Sequence, residues 1–353
     1  MTSRADDPAF RTQVDHTLVA FVEAQRPVLA PLGNDVEDLA DVSIAFVAGG
    51  KRLRPQFCYA GWLLAGGDPH DRDIVTAAAA LEWLQASALV HDDLMDGSDT
   101  RRGRPSVHRE FETRHRAEGR HGDPVGFGTS VAVLLGDLLL SWCDQMFTCA
   151  VLRSDSMRPN LLEARHFLDR CKTEVVAGQF LDVTGQTRAY LSVAEAMTVV
   201  RYKSAKYTVE RPLHIGAALA GADTGLVAAL SEVALPLGEA FQLRDDVLGV
   251  FGDPELTGKP TGDDLREGKR TVLVARAAEL TSDAGRNLLG SALGTTDGVD
   301  AVRDLIVDSG ALAAVEDDIA RLEGQADAAI DLLGPQGRTV LGPLALTATR
   351  RSH

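Results

Sequence analysis

The strongest constraint on the fold is a nearly charge-free stretch that ends in a cluster of carboxylates. Residues 74–90 read IVTAAAALEWLQASALV, and Asp92, Asp93 and Asp96 follow directly. This alanine and leucine content favours a buried helix. Positions four apart lie on one side of a helix, so Asp92 and Asp96 would point the same way at its C-terminal end, where the helix dipole favours cations. A bound divalent cation would relieve the repulsion, and the alternative is a solvated acidic helix end.

The rest of the chain extends this helical pattern. Of its 353 residues, 45% are apolar, which is ample for a core, and only 5% are aromatic. No alternation of polar and apolar residues persists, and helix follows helix. We predict an all-α fold, an antiparallel helical bundle around a central cavity, in a single domain over 1–353. Residues 1–10 are expected to be a frayed terminus and 114–128, rich in Gly and charge, a mobile loop.

Composition also limits the partners and the location of the chain. A formal net charge of -15 argues against nucleic acid as a general partner. The four cysteines lack metal-ligand spacing and lie in apolar contexts, so we expect reduced core residues. The N-terminus has no basic start followed by an apolar run, and charges interrupt the long apolar stretches. We expect a soluble cytoplasmic protein with no transmembrane segment.

Basic clusters stand out against this acidic background. The segment GGKRLRP places Lys51, Arg52 and Arg54 directly after a glycine pair. Glycines let the backbone approach a ligand closely, so the segment is a candidate anion site. A helix end with basic residues favoured by the dipole is the equal alternative. Arg101 and Arg102 form a second basic cluster just after the first aspartates.

A second aspartate cluster ends another long apolar stretch, 226–250. The segment FQLRDD carries Gln242, Asp245 and Asp246, and a loop rich in Gly and charge follows over 252–269. We expect the two acidic helices to face each other across one cavity. Carboxylates and basic residues together suit a polyphosphate held partly through Mg²⁺. No P-loop sequence is present, and the apolar helices suit a diphosphate with a hydrocarbon tail.

Together these motifs resemble the trans-isoprenyl diphosphate synthases of the polyprenyl synthetase family, most of all the bacterial geranylgeranyl diphosphate synthases. The resemblance spans about residues 35–275, and its motifs are GGKRLRP, HDDLMDGSDTRRGRP, GQFLD, Lys203-Ser204, FQLRDD and GKPTGDDLREGKRT. It implies an isoprenoid synthase fold, usually a homodimer, with several Mg²⁺ ions in the active site. It also implies condensation of isopentenyl diphosphate with an allylic diphosphate, whether dimethylallyl, geranyl or farnesyl.

The resemblance further implies roles for individual residues. The expected metal ligands are Asp92, Asp93, Asp96, Asp245 and Asp246. The residues expected to hold the allylic diphosphate are Arg101, Lys203, Ser204, Gln242, Lys259 and Lys269, of which Lys203 and Gln242 are also counted with the aspartates as catalytic. Isopentenyl diphosphate would lie on Lys51, Arg54, Gln85 and Arg102. Gln179 and Asp182 would either contact metal-bound water or form hydrogen bonds in the core.

Two positions depart from the family pattern. Gly249 stands where many members have a third aspartate, so metal binding by the second cluster would depend on Asp245 and Asp246. Gln85 stands where many members have histidine, although an amide still donates to a phosphate oxygen. Neither change removes a group that the chemistry requires.

Product length is argued from the helix before the first cluster. Ala88 and Ser87 lie four and five residues before Asp92, and both are too small to stop a growing chain. Leu84 and Leu81 lie roughly one and two turns deeper, with a rise of about 5.4 Å per turn, and would form a floor. We therefore expect geranylgeranyl diphosphate as the main product, with a farnesyl or longer product as the alternative.

Other functions fit the sequence less well. A class I terpene cyclase would carry an Asn/Ser/Glu metal motif in place of FQLRDD and would not need GGKRLRP. A catalytically silent partner subunit would show damaged aspartate clusters or missing lysines. A metal-dependent phosphohydrolase using His91 and Asp92 would need further histidines at ligand spacing, which the sequence lacks.

Overall fold

Helices account for most of the residues that the structure describes. The computed structural model describes residues 7–152, 161–253 and 261–349. The α-helices are α1 Pro8–Leu29, α2 Asn34–Val47, α3 Leu53–Leu64, α4 Arg72–Met95, α5 Val107–Ala117, α6 Pro124–Leu152, α7 Leu161–Gln186, α8 Val193–Val199, α9 Arg211–Leu219, α10 Thr224–Phe251, α11 Asp263–Arg266, α12 Val272–Leu280, α13 Asp283–Ala292, α14 Val299–Asp308, α15 Ala311–Leu332 and α16 Gly334–Thr349. A π-helical segment, Val200–Glu210, joins α8 to α9, and short 3₁₀ turns lie at Ala30–Leu32 and Thr296–Gly298. The all-α prediction is confirmed.

The chain divides into two compact units. Unit 1 comprises 1–164 with 215–222, and unit 2 comprises 165–214 with 223–353. The single domain predicted over 1–353 stays a prediction.

Helix α4 is the centre of unit 1. Asp71 caps its N-terminus by accepting a hydrogen bond from the Asp73 amide, which satisfies one of the unpaired donors of the first turn. The helix packs against α1, α3 and α6. Its fully buried Trp83 lies 5.5 Å from Trp142 of α6 and 6.0 Å from Phe21 of α1, measured between ring centroids. The apolar stretch is therefore core, as its composition predicts.

A two-stranded hairpin follows α4 and was not predicted. Strands β1, Thr100–Arg101, and β2, Arg104–Pro105, pair antiparallel. The turn residues Arg102 and Gly103 both have left-handed backbone, with φ of 52° and 72°. Turns of this hand match the twist of paired strands, so two residues suffice to reverse the chain. The strands are too short to produce an alternating sequence pattern.

Unit 2 is built around α10, which packs against the π-helical segment and α15. Its buried side chains share a core with those of α12, α14 and α15. Ser192 and Glu195 form the capping box that their spacing predicts at the start of α8. After α8, the π-helical segment passes close to α7 because Gly178 of α7 has no side chain. A Cβ on Gly178 would lie 2.5 Å from the Lys203 backbone nitrogen.

Several boundaries differ from the sequence expectations. Helix α1 begins at Pro8, capped by Asp7, so part of the terminus predicted to be frayed over 1–10 is helical, and residues 1–6 lie outside the described residues. The loop predicted over 114–128 is shorter, since α5 ends at Ala117 and α6 begins at Pro124. Residues 114–117 continue the amphipathic helix α5, whose buried face includes His115. The His115 ring lies against Phe127, which belongs to the first turn of α6. Mobility of the remaining loop stays a prediction.

Among the residues that the structure describes, three helices are long and apolar enough to cross a membrane, judged by length and composition alone. They are Arg72–Met95, Pro124–Ala150 and Thr224–Phe251. In the first, 72% of the most apolar 18-residue window is buried inside the protein. Packing within the unit therefore accounts for most of the apolar surface of α4.

Candidate active site

The first aspartate cluster lies where α4 ends. Asp92 and Asp96 are half-buried, whereas Asp93 is 1% exposed. Arg101 of the hairpin donates from Nε to both Asp93 carboxylate oxygens, at 2.9 and 3.1 Å, and from Nη2 to one of them. This ion pair fastens the hairpin to the helix. Asp93 was expected to bind metal and Arg101 to bind substrate, and in this structure the two side chains bind each other.

The basic segment GGKRLRP divides between surface and interior. Arg52 is 4% exposed and donates to Glu82 Oε2 at 2.6 Å, to Asp15 Oδ1 at 2.7 Å and to the Val47 carbonyl at 2.5 Å. It is thus a structural cation. Sequence reasoning missed Glu82, although a lone carboxylate in an apolar helix was a usable signal.

The hairpin tip reaches the same segment. A Cβ on Gly50 would lie 3.4 Å from Arg102 Nη2, so the guanidinium lies beside the second glycine of the pair. Partial loss of water around the guanidinium lowers the pKa of Arg102. The charge of Glu82 raises this pKa, whereas the charges of Arg52, Arg101 and Arg54 lower it. Unit 1 therefore brings the charges of these arginines together near Gly50, and their role in holding a diphosphate stays a prediction.

One face of α4 runs from the first cluster towards the helix start. Gln85, Ala88 and Asp92 are half-buried and recur at helical spacing, so they share that face. Ser87 is different, being 3% exposed. Leu84 and Leu81 are likewise buried. The chain-length roles of Ser87, Ala88, Leu84 and Leu81 stay predictions, and Ala88 is the small residue of the four on the half-buried face.

In unit 2 the π-helical segment presents Lys203 and Ser204. Lys203 Nζ lies 2.6 Å from Asp182 Oδ2 of α7, one turn beyond the close approach at Gly178. Widened helical turns of this kind are rare and occur often at functional sites. The structure thus brings GQFLD and the Lys203-Ser204 pair together, and gives Asp182 a partner that the sequence left open. Gln179 is half-buried.

The second aspartate cluster is more deeply buried than the first. Asp246 is 6% exposed and accepts a hydrogen bond from Gln242 Nε2 at 2.8 Å. Burial raises its pKa well above the ordinary range, and the charges of Asp264, Asp245 and Asp182 raise it further, while the Gln242 hydrogen bond opposes this. Several carboxylates are therefore grouped around Asp246, and without a bound cation burial favours the neutral form of this side chain.

Asp264 occupies the space that Gly249 leaves. A Cβ on Gly249 would lie 2.0 Å from Asp264 Oδ2, and the Gly262 amide donates to the Gly249 carbonyl at 3.1 Å. A carboxylate is thus present although the family's third aspartate is not. Lys269 Nζ lies 3.5 Å from Asp264 Oδ1 and 2.6 Å from Glu267 Oε2. Lys259 lies outside the described residues.

The donor set fits magnesium shared with a ligand better than a closed protein cage. Within the described ranges, no group of three or more His, Cys, Asp or Glu side chains is arranged to hold a metal ion by itself. Mg²⁺ keeps several waters and typically binds one or two carboxylates together with substrate phosphates. The carboxylates grouped around Asp246 in unit 2, and the half-buried Asp92 and Asp96 in unit 1, suit that mode.

Comparison with known proteins identifies the family of the chain. Residues 36–308 match the family model described as polyprenyl synthetase. The chain belongs to the polyprenyl synthetase family. A solved geranylgeranyl pyrophosphate synthase from Corynebacterium glutamicum, complexed with isoprenyl diphosphate and magnesium, is 40% identical, with a TM-score of 0.91 over 97% of this chain and 99% of that one.

Family relatives differ in the products that their names state. A geranylfarnesyl diphosphate synthase of Aeropyrum pernix is 34% identical over 75% of this chain and 78% of its own. A geranylgeranyl diphosphate synthase of Sulfolobus acidocaldarius is 34% identical over 74% of each chain. A (2E,6E)-farnesyl diphosphate synthase of Mycobacterium tuberculosis is 32% identical over 73% of this chain and 67% of its own. Family membership alone therefore leaves the product length open.

Proposed function

We propose that this polyprenyl synthetase is a trans-prenyltransferase that condenses isopentenyl diphosphate with an allylic diphosphate and releases geranylgeranyl diphosphate as its main product. The observation that carries the proposal is the likeness, over nearly the whole chain, to a geranylgeranyl pyrophosphate synthase complexed with isoprenyl diphosphate and magnesium. The basic and acidic motifs of the sequence support it, together with the contacts described above for those of their residues that the structure describes.

The proposed chemistry assigns each charge a task. Lys203, Lys269 and Gln242 would hold the allylic diphosphate and offset the charge that grows on it as the carbon–oxygen bond ionises. Magnesium, when bound by the aspartates, would supply further positive charge to that leaving group. The double bond of isopentenyl diphosphate, fixed by its own diphosphate site, then attacks the allylic carbocation. A proton is lost to the departed diphosphate, and apolar walls exclude water.

The isopentenyl diphosphate site is proposed to lie in unit 1. That unit contains Lys51, Arg54, Gln85 and Arg102. The Arg102 guanidinium lies beside Gly50, which directly precedes Lys51. These groups form a purely cationic and amide-bearing set, which suits a diphosphate held without metal. The proposal includes a homodimer in the cytoplasm as the working form.

Product analysis tests the proposal. Purified chain with Mg²⁺ and isopentenyl diphosphate would be supplied in turn with dimethylallyl, geranyl and farnesyl diphosphates, and the products separated by chromatography. We expect geranylgeranyl diphosphate from each starter. A farnesyl or longer product would correct the chain length alone. Cyclised hydrocarbon would favour a class I terpene cyclase, and no turnover by the isolated chain would favour a silent partner subunit.

A further inference from the structure

Glu82 is a carboxylate with no role in the proposed chemistry, placed inside an otherwise apolar helix. It is 8% exposed, and its Oε2 accepts from Arg52 Nη1 at 2.6 Å. Taking a carboxylate out of water is costly unless a cation and hydrogen bonds compensate it. Glu82 and Arg52 therefore hold each other at a fixed distance.

Arg52 connects this carboxylate to the basic segment. Its backbone is left-handed, with φ of 53°, which an L-residue adopts only when its surroundings impose it. Its remaining donors are taken by Asp15 of α1 and the Val47 carbonyl of α2. The residues on either side of this anchored position include Lys51 and Arg54, so the anchor fixes the path of the backbone that carries both.

The same carboxylate acts on the hairpin tip. Among the charges that act most strongly on Arg102, Glu82 is the negative one and attracts its guanidinium. Arg52, Arg101 and Arg54 repel that guanidinium. Arg101 already has Asp93 as its partner, and Glu82 offsets the repulsion between Arg52 and Arg102. Glu82 also precedes Gln85 by one helical turn on α4.

From these contacts we propose that Glu82, through Arg52, is a positioning residue for the isopentenyl diphosphate site, holding Lys51, Arg54 and Arg102 in register to grip one diphosphate. The inference rests on the proposed function, because it assumes that these cations bind isopentenyl diphosphate. Removing the groups that orient the ligands of a metal site typically costs about 10–100-fold in affinity or activity, and we expect a loss of the same order for these diphosphate-binding cations.

The test compares Glu82→Gln with Asp15→Asn in the full-length chain. Asp15 binds the same guanidinium, but its side chain is 47% exposed, so water replaces much of what its removal takes away. We expect Glu82→Gln to raise the KM for isopentenyl diphosphate by about tenfold or more while the KM for geranyl diphosphate stays within about twofold. Asp15→Asn should raise the KM for isopentenyl diphosphate by less than Glu82→Gln does, and should leave the KM for geranyl diphosphate near that of the wild type.

A second variant keeps the test decisive if Glu82→Gln folds poorly. Glu82→Asp retains the charge at a shorter reach, so its KM for isopentenyl diphosphate should lie between the wild type and the amide variant. Equal loss of both substrates, or an unchanged KM in a folded Glu82→Gln protein, would overturn the inference.

Calorimetric titration with isopentenyl diphosphate alone separates this inference from the proposed function. Wild-type chain that binds no isopentenyl diphosphate contradicts the proposed function itself. Wild-type binding that Glu82→Gln retains in full contradicts only the positioning role.

Discussion

At the scale of single residues, two arginines with left-handed backbone mark the candidate isopentenyl diphosphate site. Arg52 and Arg102 are the non-glycine residues with positive φ among those described. Such conformations cost about 1–3 kcal/mol each and persist where contacts over-determine them. Arg52 is held by its buried ion pair, and Arg102 by the short hairpin turn that it shares with Gly103.

Strain at Arg102 predicts opposite effects on stability and on binding. Arg102→Gly should raise the free energy of unfolding by about 1 kcal/mol, because glycine adopts this backbone without steric cost. Arg102→Ala keeps the strain and should not. Both remove the guanidinium and should weaken isopentenyl diphosphate binding equally. Chemical denaturation and calorimetric titration measure the two effects, and a less stable glycine variant would contradict the strain argument.

The half-buried face of α4 sharpens the expectation for product length. Ala88→Phe should shorten the product towards farnesyl diphosphate with little loss of stability, because Ala88 shares the face of Asp92. Ser87→Phe should shorten it too if the sequence argument is right, but at a cost of about 1–3 kcal/mol, because Ser87 is fully enclosed. Product chromatography and denaturation of both variants provide the check. An unchanged product from both would refute the chain-length argument.

At the scale of elements, the π-helical segment depends on its packing against α7 and on a buried polar network. Arg211 donates from Nε and Nη2 to the two oxygens of Glu174, at 2.7 and 2.8 Å. Arg211 Nη1 also donates to His214 Nδ1 at 3.1 Å. Since arginine has no acceptor, Nδ1 must be unprotonated, and the imidazole proton lies on Nε2, facing Ser231 Oγ at 3.0 Å. The network thus fixes the segment that presents Lys203.

This network predicts an acid-sensitive stability. The pKa of His214 is lowered to about 4, mainly by burial and also by the positive charge of Arg211, while the charge of Glu210 opposes both. A folded pKa below the unfolded one means that stability is complete above about pH 6.5 and is lost as the pH falls towards 4. The loss attributable to His214 should be roughly 3 kcal/mol.

Denaturation curves between pH 7 and 4 measure that loss. His214→Gln should remove this component, whereas His70→Gln, at an exposed position of unit 1, should retain it. Identical pH profiles for wild type and His214→Gln would contradict the assignment.

The contact at Gly178 predicts a coupled loss of stability and substrate affinity. Gly178→Ala places a methyl group 2.5 Å from the Lys203 backbone nitrogen, which has to move. Stability should fall by about 1–3 kcal/mol, and the KM for the allylic diphosphate should rise because Lys203 leaves Asp182. Gly324→Ala is the control, since its Cβ meets nothing within 4 Å on α15 and should stabilise that helix by up to about 1 kcal/mol. Equal behaviour of the two variants would contradict the close-packing argument.

At the scale of the whole molecule, each unit holds a different part of the predicted machinery. Unit 1 contains the basic segment, the hairpin and the first aspartates, and unit 2 contains Lys203, Lys269 and the second aspartates. In neither unit do described side chains alone enclose a metal ion. Metal and diphosphate should therefore bind together.

Joint binding predicts non-additive thermal stabilisation. Mg²⁺ alone and inorganic diphosphate alone should each raise the Tm slightly, and the two together should raise it by more than the sum. A ligand at about 100 times its Kd adds about 2.7 kcal/mol. Thermal unfolding with each addition, and again after chelation of the metal, provides the measurement. A full shift with Mg²⁺ alone would indicate a preformed metal cage and contradict this account.

The sequence by itself determined the helices and the chemical class of the site. Apolar patterning is a local property, so the helical stretches expected over 74–90 and 226–250 lie within α4 and α10. The spacing of Ser192 and Glu195 is equally local, and the capping box that it predicts is present. The acidic and basic motifs likewise pointed to a diphosphate with magnesium because their charges are written in consecutive residues. Helix α16 was missed, since it carries no motif and follows directly on α15.

Only the tertiary structure decided which charges are available and which are already paired. Arg52 looked like one of three equivalent cations until Glu82, 30 positions away, proved to hold it. Gly249 looked like a missing carboxylate until Asp264 was found in its space. Both outcomes depend on segments that pack together although they are distant in the chain, and no local pattern encodes that packing. The sequence therefore determined the kinds of groups present, and packing decided which group each one faces.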